Sequence, residues 1–295
     1  MSCGNEHFKD RKMEGGKISL LGFLVSLVFT RVVGGAGVKG LASCNFPAVY
    51  NFGDSNSDTG AGLSATIRPT QPPKGRICDG RLVIDFIGKN TSGLPRPEDF
   101  SKALYTLDIG QNDCYQALFG YPTPVIPDLI NNFTAALQSL YDEGGRAFWI
   151  HNVGPNGCLP FIRRKILGQK QETLDKNGCV NSLNEIVMEY NKQLKDRVIK
   201  LRADLPDASI TYVDVYTVKY NLISNAKSLG FTGPFTQCIY NTTCENPSMH
   251  ISWDGVHYTE AANHIVAKDI LNGSLSDPPV SITHACHKSV SSYLS

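Results

Sequence analysis

The sequence has 295 residues, of which 41% are apolar and 19% are charged, and its formal net charge at pH 7 is +1. This length and composition are typical of one globular domain with a substantial hydrophobic core. Because the charge is balanced and no Lys/Arg cluster stands out beyond the N-terminal segment, the sequence argues against a nucleic-acid partner.

The first 43 residues have the layout of a secretory signal peptide. Basic residues up to Lys17 precede the apolar run ISLLGFLVSLVF at positions 18–29, and a stretch rich in small residues then ends at Ser43. The apolar run is shorter than the ~20 residues needed to span a bilayer, which disfavours a permanent membrane anchor. We therefore predict cleavage near residues 42–44, a secreted mature domain over 44–295, and no stable membrane span after cleavage.

The cysteines fit an oxidising compartment. Of nine cysteines, Cys3 lies in the predicted leader, which leaves an even number in the mature chain. The close pairs Cys158/Cys179 and Cys238/Cys244 are the preferred bridges, and the alternative for each is a pair of buried free thiols.

Four N-x-[ST] sequons agree with secretion, because glycans are added in the secretory pathway. The sequons predict N-glycans at Asn90, Asn132, Asn241 and Asn272. No C-x-x-C is present and the histidines are scattered, so we expect no zinc site, and we predict no cofactor.

Strand and helix patterns alternate along the rest of the chain. In order, they predict a strand at 47–52, a short helix at 81–88, a strand at 102–110, a helix over 129–141, a strand at 146–154, a long helix at 182–205 opened by a Ser182/Glu185 capping box, a strand at 208–216, a helix at 217–230, and a last helix at 260–271 capped by Thr259. The polar segment 89–101 holds no predicted strand. Such alternation predicts a three-layer α/β/α fold with a doubly wound parallel sheet.

The decapeptide NFGDSNSDTG at 51–60 raises the first question about function. A strand stops there at Gly53, and Ser55 follows among small polar residues. These are residue types of turns and helix N-caps, so a purely structural turn is one interpretation. The other is that Ser55 is a nucleophile at the carboxyl end of a strand, where open α/β sheets bind their ligands.

Other polar residues follow the later strands. Asn112 comes after the second strand and His151 after the third, while Asp254 and His257 lie three residues apart before the last helix. A serine needs a base within hydrogen-bond reach, and the imidazole needs a carboxylate to fix its tautomer, so Asp254 and His257 could activate Ser55. Taken singly, each has a structural alternative: a helix cap for Asn112, a solvated turn for the Asp/His pair, and backbone-satisfied loop groups for His151 and Asn152.

Three ordered blocks of sequence resemble a known family. FGDSNSDTG at 52–60, DIGQND at 108–113 and WDGVHYTEAAN at 253–263 are similar to the first, third and fifth blocks of plant GDSL esterases/lipases of the SGNH hydrolase superfamily. The resemblance extends from about Cys44 to Cys286 and implies the flavodoxin-like α/β/α fold of that superfamily. By this route Ser55, Asp254 and His257 would be catalytic, and the Ser55 N–H with the Asn112 side chain would form the oxyanion hole.

The second block of that family has no counterpart here. Members place another strand and a glycine-containing motif between GLP and the segment that matches FSKALYTLDIG, and that glycine N–H is a further oxyanion donor. In this chain Pro95 is almost directly followed by Pro97 and Phe100. We therefore expect one edge strand to be missing, the first strand to keep an unpaired side, and catalysis to lose one donor.

Together these patterns predict a secreted, glycosylated serine ester hydrolase of the cell wall or apoplast. Its substrate would be a small-molecule, lipid or glycan ester. The alternative is a catalytically impaired relative, for example a non-catalytic binding protein, which the missing block favours.

Overall fold

A computed structural model of the chain describes residues 43–59, 76–87, 96–116, 126–169, 171–240 and 242–286, and the backbone alone of residues 24–26, 30–31 and 89–90. Most of the predicted leader, its cleavage site up to residue 42, and the sequon residue Asn241 lie outside the described residues. Of the sequon residue Asn90, only the backbone is described.

Strands and helices alternate as the sequence predicts. The strands, in chain order, are β1 (Leu24–Ser26), β2 (Thr30–Arg31), β3 (Val49–Gly53), β4 (Lys89–Asn90), β5 (Leu104–Asp108), β6 (Ala147–His151), β7 (Ser209–Val213) and β8 (Ser276–Asp277). The helices are α1 (Val83–Ile87), α2 (Gln111–Gln116), α3 (Ile126–Asp142), α4 (Pro160–Leu167), α5 (Asn181–Asp204), α6 (Val215–Ser224) and α7 (Glu260–Leu271). Short 3₁₀ helices occupy Pro97–Lys102, Asn156–Cys158, Pro247–Met249 and Ile282–His284.

The main sheet has the strand order β1-β3-β5-β6-β7-β8. Its four inner strands are parallel, whereas the short strands β1 and β8 pair antiparallel at the two edges. Parallel inner strands have their carboxyl ends at one edge, and Gly53 pairs with Asp108 at the ends of β3 and β5. The segments that follow these two strands therefore leave the sheet side by side.

Two hydrophobic cores, one on each face of the sheet, establish the three layers. Successive residues of β6 alternate between the cores, because side chains of a strand point to opposite faces: Trp149 packs with α1, α6 and α7, and Phe148 and Ile150 pack with α3 and α5. All five residues of β6 are buried. The predicted α/β/α fold is therefore confirmed.

Two local predictions were wrong, and two helices, α2 and α4, were missed. Ser182 is not the cap of α5, which begins at Asn181 after Val180, and the buried Ser182 hydroxyl has no hydrogen-bond partner. Segment 89–101, predicted to lack a strand, contains β4 at its start. The eight residues of α4 are too few to show the apolar period that would have indicated a helix. Thr259, in contrast, caps α7 as predicted, accepting from the Ala262 N–H.

The free side of β3 differs from the prediction. The sequence predicts an unpaired edge there, but β1 pairs antiparallel with Asn51, Phe52 and Gly53. An edge strand has unpaired N–H and C=O groups, and pairing satisfies them. The residues that do this belong to the apolar run of the predicted leader. Within the part of the chain that the structure describes, no helix is long and apolar enough to cross a membrane.

Three disulfides link six of the eight described cysteines. Both preferred bridges, Cys158–Cys179 and Cys238–Cys244, are confirmed, and an unpredicted third, Cys44–Cys286, joins residues 242 positions apart. This long bridge ties the start of the domain to its end, where the Cys44 N–H also donates to the Thr283 carbonyl. Cys78 and Cys114 remain as buried free thiols, and burial raises the pKa of each to about 12.

This arrangement predicts the thiol count of the protein. Because the thiolate is the reactive form, neither Cys78 nor Cys114 should react with Ellman's reagent in the native protein at pH 8. Unfolding in guanidinium without reductant should expose two thiols per chain, plus Cys3 if the leader is retained. Reduction should release six more. Rapid reaction in the native state, or fewer than two thiols after unfolding, would contradict the assignment.

Candidate active site

A serine, a histidine and an aspartate meet at the carboxyl edge of the sheet. The Nε2 atom of His257 lies 2.8 Å from the Oγ atom of Ser55, although the two residues are 202 positions apart in sequence. On the other side of the ring, Nδ1 lies 2.6 Å from Oδ2 of Asp254. The structure thus brings together the three residues that the sequence predicts as catalytic, with the imidazole placed between the hydroxyl and the carboxylate.

The turn after β3 presents Ser55. The Ser57 N–H donates to the Asp54 carbonyl at 2.9 Å, and Asp54 Oδ1 accepts from the Asn56 backbone N–H at 3.0 Å. Gly53 ends the strand. A Cβ atom added at this glycine would lie 2.6 Å from Ser57 Oγ and 3.0 Å from the Asp108 carbonyl oxygen. This close approach between β3, the turn and β5 explains the glycine before Asp54 and Ser55. These residues do form a turn, as one of the two interpretations of the sequence predicts. A turn at this position is compatible with a nucleophilic role for Ser55.

A compact loop before α7 presents His257. Asp254 Oδ1 accepts from the backbone N–H groups of Val256 at 2.9 Å and His257 at 2.8 Å. Gly255 between them has φ 98°, the left-handed region that favours glycine. Fully buried Ser252 closes the loop, because its hydroxyl donates to the His257 carbonyl at 3.0 Å and accepts from the Gly255 N–H at 2.8 Å.

The Asp254 carboxyl is held in its ionised form. Burial acts to raise its pKa, but the hydrogen bond from the His257 ring, the charge of that ring and the two backbone N–H groups outweigh burial, so the pKa of Asp254 is lowered. An ionised carboxylate can only accept hydrogen bonds. Asp254 therefore favours the imidazole tautomer with its proton on Nδ1, which leaves the Nε2 lone pair for the Ser55 hydroxyl.

Asn112 lies beside the same turn. Gly110, with φ 114°, reverses the chain directly after β5, and a Cβ there would lie 2.6 Å from the Tyr190 hydroxyl. Asn112 is consequently the second residue of α2, and its Nδ2 donates to Oδ2 of Asp54 at 3.1 Å. Asn112 is exposed to solvent.

His151 and Asn152 have other partners. His151 is buried, and its Nδ1 atom lies 3.9 Å from Oδ2 of Asp108. Burial acts to raise the pKa of Asp108, but His151 and the Lys219 charge lower it overall. Asn152 donates to the Tyr212 hydroxyl and to Asp214, both at 2.9 Å. The prediction of backbone partners holds only in part. Asn152 Oδ1 accepts from the Tyr216 N–H at 2.8 Å, but the other partners named here are side chains, and the buried Nε2 of His151 has no hydrogen-bond partner within the described residues.

Two further residues contribute to the site: Asp54, which the sequence indicates only as a turn residue, and Ser252, which no sequence pattern indicates. Asp54 contacts both the Ser55 turn and Asn112. Burial and the nearby Asp108 charge raise the pKa of Asp54. Its position directly before the candidate nucleophile could have marked it; nothing in the sequence distinguishes Ser252 from other loop serines. Among the described residues no group of three or more His, Cys, Asp or Glu side chains is placed to hold a metal ion.

Comparisons with known proteins agree on one family. The family model described as GDSL-like lipase/acylhydrolase matches residues 96–270. A GDSL esterase/lipase of Arabidopsis thaliana is 39% identical over 83% of this chain and 91% of its own length, and one of Zea mays is 38% identical over 83% and 90%. A protein of Arabidopsis thaliana named alpha-L-fucosidase 3 is 33% identical over 78% and 91%.

The alignments also show that this chain is shorter than its relatives. The first spans 357 positions, whereas 83% of 295 residues is about 245, so on the order of a hundred positions of the relative have no counterpart here. The family match begins at residue 96, next to the junction where the sequence predicts the missing block. From the family match and the identity to these relatives, the chain belongs to the GDSL lipase/acylhydrolase family and is a hydrolase that acts on ester bonds.

Proposed function

We propose that this chain is a secreted serine ester hydrolase in which Ser55 is the nucleophile, His257 the general base and Asp254 the residue that orients His257. The observation that supports this most directly is the pair of short contacts of the His257 ring, 2.8 Å to Ser55 and 2.6 Å to Asp254. Membership of a family of ester hydrolases supports the same chemistry. A serine nucleophile hydrolyses an ester through an acyl-enzyme intermediate.

In the proposed mechanism, the Ser55 oxygen attacks the ester carbonyl while its proton moves to Nε2 of His257. The tetrahedral intermediate collapses when the imidazolium returns this proton to the departing alcohol. Water then attacks the acyl-enzyme, His257 takes its proton, and the carboxylic acid leaves as Ser55 regains its hydrogen. Asp254 stays ionised throughout and stabilises the transient imidazolium.

The proposed oxyanion hole has two donors, the Ser55 N–H and the Asn112 side-chain amide. The removal of one hole donor typically lowers turnover roughly 100- to 1000-fold. A third donor from a glycine block would have no equivalent here, so we expect slower turnover than in relatives that carry the block. Activated esters, whose leaving groups need less assistance, should be the best substrates.

The substrate class we propose is a small-molecule, lipid or glycan ester. Glycoside hydrolysis, which the name of the fucosidase relative indicates for that protein, generally uses a pair of carboxyl groups at the reacting centre. Ser55 with an imidazole is instead suited to acyl transfer. We therefore do not extend that relative's named activity to this chain.

A second candidate function is that of a catalytically impaired relative that binds an ester or glycan without turning it over. The observation that favours it is the shortened chain, since on the order of a hundred aligned positions of the first relative are absent. A fluorophosphonate probe separates the two candidates, because it labels only an activated serine.

The first prediction concerns Ser55. Purified protein should hydrolyse p-nitrophenyl acetate and take up one fluorophosphonate per chain, and Ser55→Ala should abolish both because the attacking oxygen is gone. Ser248→Ala, a matched change in the 3₁₀ turn Pro247–Met249, should leave both unchanged. Labelling that persists in Ser55→Ala would refute the proposal, and a wild-type protein that is folded, unlabelled and inactive would support the impaired relative.

The second prediction concerns Asp254→Asn. Because Oδ1 accepts two backbone N–H groups, the new amide must place its NH₂ opposite His257 Nδ1. That donor stabilises the wrong imidazole tautomer, with the proton on Nε2 facing Ser55, and kcat should fall roughly 10⁴-fold with little change in KM. Asp142→Asn, an exposed matched change in α3, should keep full activity. A loss below tenfold would contradict the assigned role.

The third prediction concerns secretion and glycans, which we propose from the leader and the sequons. The side chains of Asn132 and Asn272 are exposed. Expressed through a eukaryotic secretory pathway, the protein should appear in the medium with an N-terminus near residue 43, and Asn132→Gln and Asn272→Gln should each remove one glycan on a gel. Retention in the membrane fraction, with residues 18–29 present, would contradict secretion.

A further inference from the structure

The hydrogen bonds of Asp54 divide between its two carboxyl oxygens. Oδ1 accepts from the backbone N–H of Asn56 at 3.0 Å and from its side-chain amide at 3.2 Å. Oδ2 accepts from Nδ2 of Asn112 at 3.1 Å. One residue thus connects the turn that carries Ser55 with the helix that carries Asn112.

This contact constrains the direction of the Asn112 amide. The two ends of a side-chain amide have nearly the same shape, but one donates and the other accepts. An ionised carboxylate accepts only, so the nitrogen end must face Asp54. Nδ2 has two hydrogens, and the bond to Asp54 uses one and leaves the other for a further acceptor.

The direction of the amide decides whether Asn112 can stabilise an oxyanion. With its nitrogen beside the Ser55 turn, the amide presents a donor to developing negative charge. If the amide were turned by 180°, its oxygen would lie there and would repel an oxyanion. Because Asn112 is exposed, the surrounding protein does not enclose its side chain, and the amide nitrogen donates to Asp54.

We propose that Asp54 is a positioning residue that keeps the nitrogen of the Asn112 amide turned toward the turn that carries Ser55, so that Asn112 acts as an oxyanion donor. This rests on the proposed function of Ser55 and Asn112. Asp54 touches no substrate in this account, and its effect on the reaction passes through Asn112. In a chain with only two proposed donors, the loss of this orientation has a larger relative effect than in a three-donor hole.

The test is a double-mutant cycle on ester hydrolysis. Asn112→Ala should lower kcat roughly 100- to 1000-fold. Asp54→Asn should lower kcat by a comparable factor with little change in KM. The new amide must keep its oxygen on Asn56, so its NH₂ faces Asn112 and favours the reversed orientation. The double variant should be no slower than Asn112→Ala alone, since both changes remove one donor.

Two control variants separate positioning from damage to the turn. Asn56→Ala removes a side-chain donor to Oδ1 but leaves the Asp54 carboxylate, and it should cost far less than Asp54→Asn. Asp113→Asn changes the neighbouring carboxyl in α2 and should keep full kcat. Multiplicative losses in the double variant, or an Asn56→Ala variant as slow as Asp54→Asn, would overturn the proposal.

A second readout does not depend on turnover. In ¹⁵N-labelled protein, the side-chain NH₂ signals of Asn112, assigned by their absence in Asn112→Ala, should be dispersed by the carboxylate contact and shift in Asp54→Asn. Unchanged signals would overturn the proposal even in a protein without activity. If neither Ser55→Ala nor Asp54→Asn lost activity, the proposed function itself would be contradicted. A failure of the proposed function can therefore be distinguished from a failure of the Asp54 proposal.

Discussion

The parallel, in-register pairing of β3 with β5 is the constraint on which the candidate site depends. Because Gly53 lies opposite Asp108, the turn with Ser55 and the first turn of α2 leave the sheet at the same level. The second requirement is the position of α7, which packs with α1 and α6 in the core on one face of the sheet. Only when both are satisfied can a histidine 202 residues downstream reach the serine.

The sequence predicted the elements whose pattern is local. The inner strands are mostly apolar because most of their residues are buried, and α3, α5 and α7 each have a buried apolar stripe. The four residues proposed for the site were also identified beforehand, since each follows a strand or precedes a helix in a matching block. The capping box at Ser182 failed because the first turn of α5 is fixed by contacts from another segment: Asn184 accepts from the Gly157 N–H at 2.9 Å.

Features that depend on distant segments could not be predicted in this way. Nothing local to Cys44 indicates that its partner is Cys286, because the bridge depends on where the two ends of the domain meet. The pairing of β1 with β3 is a similar case, since an apolar run in a predicted leader gives no indication of a place in the sheet. The free edge of β3 needs a partner for its backbone groups, and in the full chain the run supplies one. Removal of the leader would expose this edge again.

Two aspartates in the site share one construction. In each aspartate, one oxygen accepts backbone hydrogen bonds from its own turn, one N–H for Asp54 and two for Asp254, and these fix the carboxylate. The other oxygen orients a side chain that has two possible directions. For Asp254 the oriented group is an imidazole that can become positively charged, and it lowers the carboxyl pKa. Asp54 faces a neutral amide and lies near Asp108, so burial and like charge raise its pKa. The same local geometry therefore leaves Asp54 easier to protonate, and a protonated Asp54 could donate to the oxygen of Asn112 and lose its control over the amide.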